Sequence, residues 1–423
     1  MFERPPQEKE WVSWAAVVLW AGFIFAAIPF ARTLQAFVSD RTDSVIFIYI
    51  VVAVVIISAL LSIVYLRRRP QPTGGSVVWL LVFGGFFIAY AFSLRQSPAE
   101  ALHFIEYGVL GLLLFRALSH RLRDQGIYVA AVLIGTTIGG LDEAVQWITP
   151  GRFWGIGDIW VNGVAVFLIQ GAVALGVRPA IIARRVGPES IRVGCRLAVA
   201  LLLVLGASLL NTPARIAWYS SAIPMLGFVQ QNTSAMLEYG HLYEDPEAGI
   251  FRSRLAPEEL ARSDRERGQE AGRILLQYRD PERYEAFLDI YTPVSDPFLH
   301  EARVHLFRRD RYLERAEEEA QDDPARYRDF MTTAFRENQI MERYFSETLA
   351  ASDFVWPAET RAFVESNIDP DLVYDSWVSR RLVTGIGEGG IMAILLVAIG
   401  GLIVLGRFYG REGKSRKGDA SDV

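Results

Sequence analysis

The chain of 423 residues contains one cysteine, Cys195, and three lysines, Lys9, Lys414 and Lys417. A single cysteine excludes an internal disulfide framework and any zinc site built from paired CxxC motifs. With five histidines in all, metal-ligating and imidazole chemistry is confined to a few places. Low-complexity disorder is excluded by 12% aromatic residues and long apolar runs. A large basic surface is also missing, which argues against nucleic-acid partners. No cofactor-binding motif is found, so no cofactor is expected.

What is present divides in two. Residues 212–380 hold 20 Arg against 32 Asp and Glu, a net charge of −12, and the remainder of the chain carries +7. The total of −5 is thus a mixture of an acidic, water-loving part and a basic, apolar part. A bilayer core takes about 20 apolar residues in helical form. Windows of that kind fall at Trp11–Phe30, Val45–Leu66, Val77–Leu94, Pro98–Leu118, Ile127–Gln146, Ile159–Val177, Arg196–Leu210 and Gly387–Gly406. Trp11–Phe30 has no basic flank, since Arg4 and Lys9 lie among Glu3, Glu8 and Glu10, so it reads as a span and not as a secretory signal.

Positive charge orients the spans. With the N-terminus in the cytoplasm, 18 basic residues fall on cytoplasmic segments, while the short outer loops hold only Arg32, Arg41, Arg95 and Arg152. The expected fold class is all-α: a polytopic helical membrane bundle of about eight spans with an inserted helical extracytoplasmic domain. Both termini are expected in the cytoplasm. The organisation reads as a two-span region (1–76), a membrane module (77–177), a basic loop with the seventh span (178–211), the acidic outer domain (212–380), and the last span with a basic tail (381–423).

In the acidic domain, Pro257–Tyr278, Pro281–Ile290, Pro297–Gln321, Pro324–Leu349 and Pro357–Ser366 carry apolar residues at threes and fours, and each opens with proline, which favours the first helical turn. His300, Glu301 and His305 resemble half a zincin motif. Their histidine spacing of five turns the two rings about 140° apart on a helix, so they read as a helix surface. Asn232-Thr233-Ser234 has the form of a glycosylation sequon and reads as chance.

The informative residues lie between Ser97 and Asn162. Ser97-Pro98-Ala99-Glu100 is a helix start with the pattern of a capping box. His103, Glu106 and Tyr107 follow on one face, about 7–14 Å along the helix. Asp142, Glu143 and Gln146 close the next span, where Gly135 and Gly139 permit close helix approach. Pro150-Gly151-Arg152 breaks the chain, and Asp158 and Asn162 stand one turn apart at the start of the following span. Ionisable groups cost about 2.5–3.5 kcal/mol each near the centre of a bilayer, so their convergence on one side of the membrane marks a site.

These residues carry a resemblance. The run from His103 to Gly111, then Gly139 with Asp142, Glu143 and Gln146, then Pro150-Gly151-Arg152, then Asp158 with Asn162-Gly163 resembles the VanZ-like family, over roughly residues 80–177. The resemblance implies a small bundle of membrane helices in a bacterial cell envelope and a link to resistance against a glycopeptide antibiotic. It supplies no reaction. From the residues themselves three readings stay open. Arg152 bridging Asp142, Glu143 or Asp158, with His103 on Glu106, would lock helices together. Tyr107, Gln146, Arg152 and Asn162 would bind an anionic or sugar-bearing headgroup of an envelope lipid or glycan. Alternatively, His103, Glu106, Asp142, Glu143 and Asp158 would supply acid–base catalysis on a lipid-linked substrate, or His103, Glu106, Asp142 and Asp158 would hold a divalent ion. Proton-coupled transport is a further alternative, although no inverted repeat is evident. No resident metal is expected.

Overall fold

The computed structural model describes residues 6–30, isolated positions between 49 and 67, and residues 74–94, 98–149, 152–231, 235–319 and 323–419. Most of Val45–Leu66 lies outside the described residues, as do Ser97, Pro150-Gly151 and the Asn232-Thr233-Ser234 sequon. The chain divides into two compact units, residues 1–208 with 393–423, and residues 209–392.

The first unit contains α1 (Glu10–Ala27), α2 (Gly74–Ser93), α3 (Pro98–Leu118), α4 (Gly126–Ile148), α5 (Ile156–Gly171, continuing as a π-helical turn over Ala172–Val177) and α6 (Pro188–Leu209). Seven described helices are long and apolar enough to cross a membrane: these six and Glu388–Gly410. The chain is an integral membrane protein. Its core gathers Phe104, Tyr107, Leu110, Leu114, Phe115, Ile127, Ala165 and Val166 around α3, while lipid-length faces such as Val18, Leu19 and Phe86 stay uncovered. The span expected at Arg196–Leu210 is longer than its hydropathy indicated, because Arg192 and Arg196 sit inside a helix that starts at Pro188. Long arginine stems allow this, since their apolar portion covers the helix while the charge reaches the interface.

Glycine sets the close packing that positions the site. A Cβ on Gly135 would lie 2.7 Å from Val166, one on Gly163 2.9 Å from Thr136 Oγ1, and one on Gly139 3.1 Å from Asn162. Pairing 135 with 166 and 139 with 162 makes α4 and α5 antiparallel, with backbones nearer than any larger residue would allow. Gly111 meets Ile169 and Gln170, and Gln170 Nε2 donates to Gly111 O at 2.8 Å, which fixes α5 alongside α3.

The second unit contains α7 (Pro213–Ala222), a 3-10 turn (Pro224–Gln231), a hairpin of β1 (His241–Asp245) and β2 (Gly249–Ser253), then α8 (Pro257–Gln277), α9 (Tyr284–Ile290), α10 (Pro297–Glu319), α11 (Pro324–Tyr344), α12 (Ser346–Ala350) and α13 (Ala358–Glu365). The final helix, α14, runs Glu388–Asp419. The helices expected from proline-led segments are present, except that Pro324–Leu349 is broken at Phe345 into α11 and α12. Asp264 of α8 reaches across to cap α12, accepting from Glu347 N at 2.9 Å and Thr348 N at 3.0 Å.

The described secondary structure is almost entirely helical, as the all-α expectation has it, with one two-stranded hairpin beside the helices. Its turn is set by Asp245, whose Oδ1 accepts from Glu247 N and Ala248 N, both at 2.8 Å. Gly249 closes it at φ 89°, with Tyr374 O only 2.6 Å from where a Cβ would stand, so only glycine fits. His300, Glu301 and His305 are also not a helix surface. Glu301 and His305 are buried, and His305 Nδ1 lies 2.5 Å from Glu337 Oε2. Glu301 accepts from Ser253 Oγ at 2.5 Å and Arg254 N at 2.8 Å. His300 faces elsewhere, with Nδ1 2.9 Å from Tyr291 O. The hairpin and α11 cover this charged face of α10, and those partners lie 32 and more residues away in sequence.

Candidate ligand site in the membrane bundle

Three helices bring the polar residues together. α3 starts, α4 ends and α5 starts at one end of the first unit, so His103, Glu106 and Tyr107 meet Asp142, Glu143 and Gln146, with Asp158 and Asn162 on the third side. Tyr107, Asp142 and Glu143 are fully buried, Glu106, Gln146 and Asn162 nearly so, and His103, Arg152 and Asp158 are half-buried. Gly139 makes room for this: both Asn162 and the Tyr107 ring close to within 3.6 Å of its missing side chain.

The internal contacts are few. His103 Nδ1 lies 3.1 Å from Glu106 Oε2, but without hydrogen-bond alignment. Gln146 Nε2 donates to Glu143 Oε1 at 2.8 Å and reaches Asp142 Oδ2 at 3.3 Å. The other Glu143 oxygen accepts from Gly155 N at 3.0 Å, so the linker backbone pins that carboxylate. Asp158 Oδ2 would lie 2.7 Å from a Cβ on Gly155, which brings its carboxylate under the same linker. Trp20 Nε1 of α1 donates to Glu106 O at 2.9 Å and fixes α3 from outside.

Against these stand five buried polar atoms with no hydrogen-bond partner among the described residues: His103 Nδ1, Tyr107 Oη, Asp142 Oδ1, Arg152 Nε and Trp154 Nε1. The bridge expected from Arg152 to a carboxylate is not made among the described residues. Its guanidinium acts on His103, Asp142, Glu143 and Asp158 through space only. The group formed by His103, Glu106, Asp142 and Asp158 likewise does not offer metal-ligand geometry; no cluster of three or more candidate ligands does among the described residues.

No family model, curated protein or solved structure matches the chain. The likeness to VanZ-like proteins rests on the motif residues alone.

All nine expected site residues meet at this one end. Reading the sequence missed Trp154 and Gly155. Both belong to the linker that follows Arg152, and their polarity is a ring N–H and a backbone N–H, neither of which registers as charge. The opposite end of the bundle is tied differently. Arg116 Nη2 pairs with Glu8 Oε2 at 2.5 Å, and Arg121 Nε with Glu10 Oε1 at 2.7 Å. Asp124 accepts from Gly126 N, Gly187 N and Ser190 Oγ at 2.7–3.0 Å. At that end Asp124, Glu8 and Glu10 are each met by donors, whereas at the first end the buried polar atoms above find none among the described residues.

Proposed function

We propose that this chain is a VanZ-like protein of a bacterial cytoplasmic membrane that binds a hydroxyl- and phosphate-bearing headgroup, of an envelope lipid or glycan, at the polar end of the bundle. The observation that carries the reading is the convergence there of five buried polar atoms without partners among the described residues. Leaving a buried polar atom unsatisfied costs about 1–3 kcal/mol, so a polar partner at this place is favoured. Arg152 Nε and Trp154 Nε1 only donate, Asp142 Oδ1 only accepts when ionised, and Tyr107 Oη and His103 Nδ1 do either. A sugar hydroxyl both donates and accepts, and a phosphate beside Arg152 accepts. A headgroup with both uses the whole set, whereas an apolar ligand uses none of it.

The topology proposed with this reading has eight spans, Val45–Leu66 included, both termini in the cytoplasm, and residues 212–380 outside. The charge asymmetry of 18 basic residues against four supports it. The site would then open to the outer leaflet, where such headgroups are exposed. A role in the response to glycopeptide antibiotics follows from the family resemblance.

One observation favours a second reading, an intramembrane hydrolase or transferase on a lipid-linked substrate. His103 and Glu106 approach to 3.1 Å, near enough to share a proton. Native mass spectrometry of purified protein separates the readings. Recognition predicts that wild type retains an envelope lipid and that Arg152→Ala and Trp154→Phe lose it, while His103→Ala matters less. The enzyme reading predicts that His103→Ala and Glu106→Gln keep the lipid and abolish its conversion. A folded quadruple alanine variant at 103, 106, 142 and 158 that retains lipid and function as wild type does would overturn both, leaving a structural cluster.

A further inference from the structure

The acidic unit carries one uncharged stretch. From Ile216 to Leu237 there is no Asp, Glu, Lys or Arg, in a unit otherwise dense in both signs. This stretch holds most of α7 and the 3-10 turn after it. On α7, Ile216 and Ser220 turn inward, while Ala214, Ala217, Trp218, Ser221 and Ala222 form the outward face at helical spacing. The turn continues that face with Ile223, Met225 and Phe228. Trp218 is 71% exposed and Met225 86%. Single exposed apolar residues need no explanation, but a continuous uncharged face with a tryptophan and a phenylalanine does.

The chain also fixes where this face stands. α7 begins at Pro213, just past the end of the membrane-spanning α6 at Leu209. Arg215 Nη1 donates to Leu210 O at 2.6 Å, so α7 itself satisfies a carbonyl just past the end of that span, and Tyr239 Oη, beyond the stretch, donates to Leu209 O at 3.0 Å. Arg215 also pairs with Glu388, the first residue of α14, whose apolar run is the last span. The single charge on α7 thus ties the end of one span to the start of the other. A helix that starts this close to the end of a span, with its one charge engaged by Leu210 and Glu388 and its apolar face exposed, suits the zone where a bilayer passes from acyl chains to headgroups. Tryptophan favours that zone.

We propose that residues 213–231 are an interfacial foot, by which the acidic unit rests on the lipid bilayer with Trp218, Ile223, Met225 and Phe228 inserted below the headgroups. Most interfacial helices pair an apolar face with a basic one and need anionic lipid. This segment has no basic face to offer, so its insertion depends on apolar burial and is indifferent to lipid charge. The proposal does not depend on which side of the membrane the acidic unit occupies, nor on the ligand of the polar site.

The test uses the full chain with Cys195→Ala, carrying a nitroxide at Trp218→Cys, Met225→Cys or, as a control on an exposed part of α9, Glu285→Cys. Each is reconstituted in phosphatidylcholine vesicles with and without phosphatidylglycerol. Labels at 218 and 225 are expected to be relaxed by oxygen and shielded several-fold from a water-soluble nickel complex relative to 285, equally in both lipids. Nickel accessibility equal to that at 285 would place the face in water and overturn the proposal. Immobilised spectra shielded from both reagents would overturn it too, since the face would then be covered by protein. Adding Met225→Glu should raise nickel accessibility at 218; no change there would also count against insertion.

Discussion

Glu337 of the acidic unit and Asp142 of the membrane bundle are both fully buried, yet their surroundings differ. Glu337 receives His305 Nδ1 at 2.5 Å, Tyr374 Oη at 2.5 Å, Ser376 Oγ at 2.8 Å and Arg308 Nε at 3.0 Å. Asp142 receives one long contact from Gln146, and its Oδ1 receives nothing. Water is scarcer around a membrane helix than around a soluble one, so an unsatisfied carboxylate is harder to sustain there. The saturated network in the acidic unit has the form of a structural lock joining the hairpin, α10, α11 and the segment around Tyr374. The incomplete one is the arrangement on which the proposed headgroup-binding reading rests.

The largest effect is expected where the network is complete. Glu337→Ala leaves His305 and Arg308 buried beside no carboxylate and should cost the acidic unit about 3–5 kcal/mol, read as lost protease resistance and a lower unfolding midpoint. Asp142→Asn should change stability by less than about 1 kcal/mol, because it gives up only one weak contact. Equal losses from the two substitutions would break the contrast between lock and site.

Packing gives the next largest effect. Gly135→Leu drives a side chain into Val166 and should cost about 1–3 kcal/mol by overpacking. It should also lose retained lipid, because α4 and α5 could no longer bring Asp142 and Asn162 together. Normal lipid retention in a folded Gly135→Leu variant would show that the site does not need this approach.

Acid should act on the acidic unit in two steps, one at His300 outside the lock and one at Glu337 within it. Burial holds the His300 imidazole below its ordinary value, more than its hydrogen bond to Tyr291 O and the nearby carboxylates offset. Stability it contributes is present above the ordinary histidine range and is lost as pH falls from there toward the folded value. For Glu337, burial raises the carboxyl, but His305, Tyr374 and Arg308 outweigh it and hold it below the ordinary glutamate value. Its contribution is present above that ordinary value and is lost at lower pH, as pH falls through the depressed folded value. Denaturation midpoints of the acidic unit followed against pH should fall in these two windows, and Glu337→Gln should flatten the lower one. The smallest effect is expected at the surface. Arg279 and Asp353, both well exposed at 3.5 Å, should contribute less than about 1 kcal/mol, so Arg279→Ala should leave the midpoint almost unmoved.

Much of this was legible in sequence, for reasons that differ by residue. Pro98, Pro188, Pro213, Pro257, Pro297 and Pro324 each open a helix, because proline constrains φ and lacks the N–H that a first turn leaves unused. Gly135 and Gly139 marked a close approach, and the motif order placed nine polar residues at one end of a bundle. The hairpin was missed although Asp245 and Gly249 are turn residues, because its two strands are short and flank no long alternation. The burial of Glu301 and His305 was missed because charge on a helix looks the same whether water or a partner faces it.

The sequence alone determined the helices that are apolar and long enough to cross a membrane, since these depend on local composition and on the length a bilayer demands. Only the tertiary structure decided which buried charges are served. Glu337, Glu301 and Asp264 find donors up to about eighty residues away, whereas Asp142, Arg152 and Trp154 do not. Satisfaction of a buried polar group depends on what arrives opposite it, and that is a property of packing between distant segments.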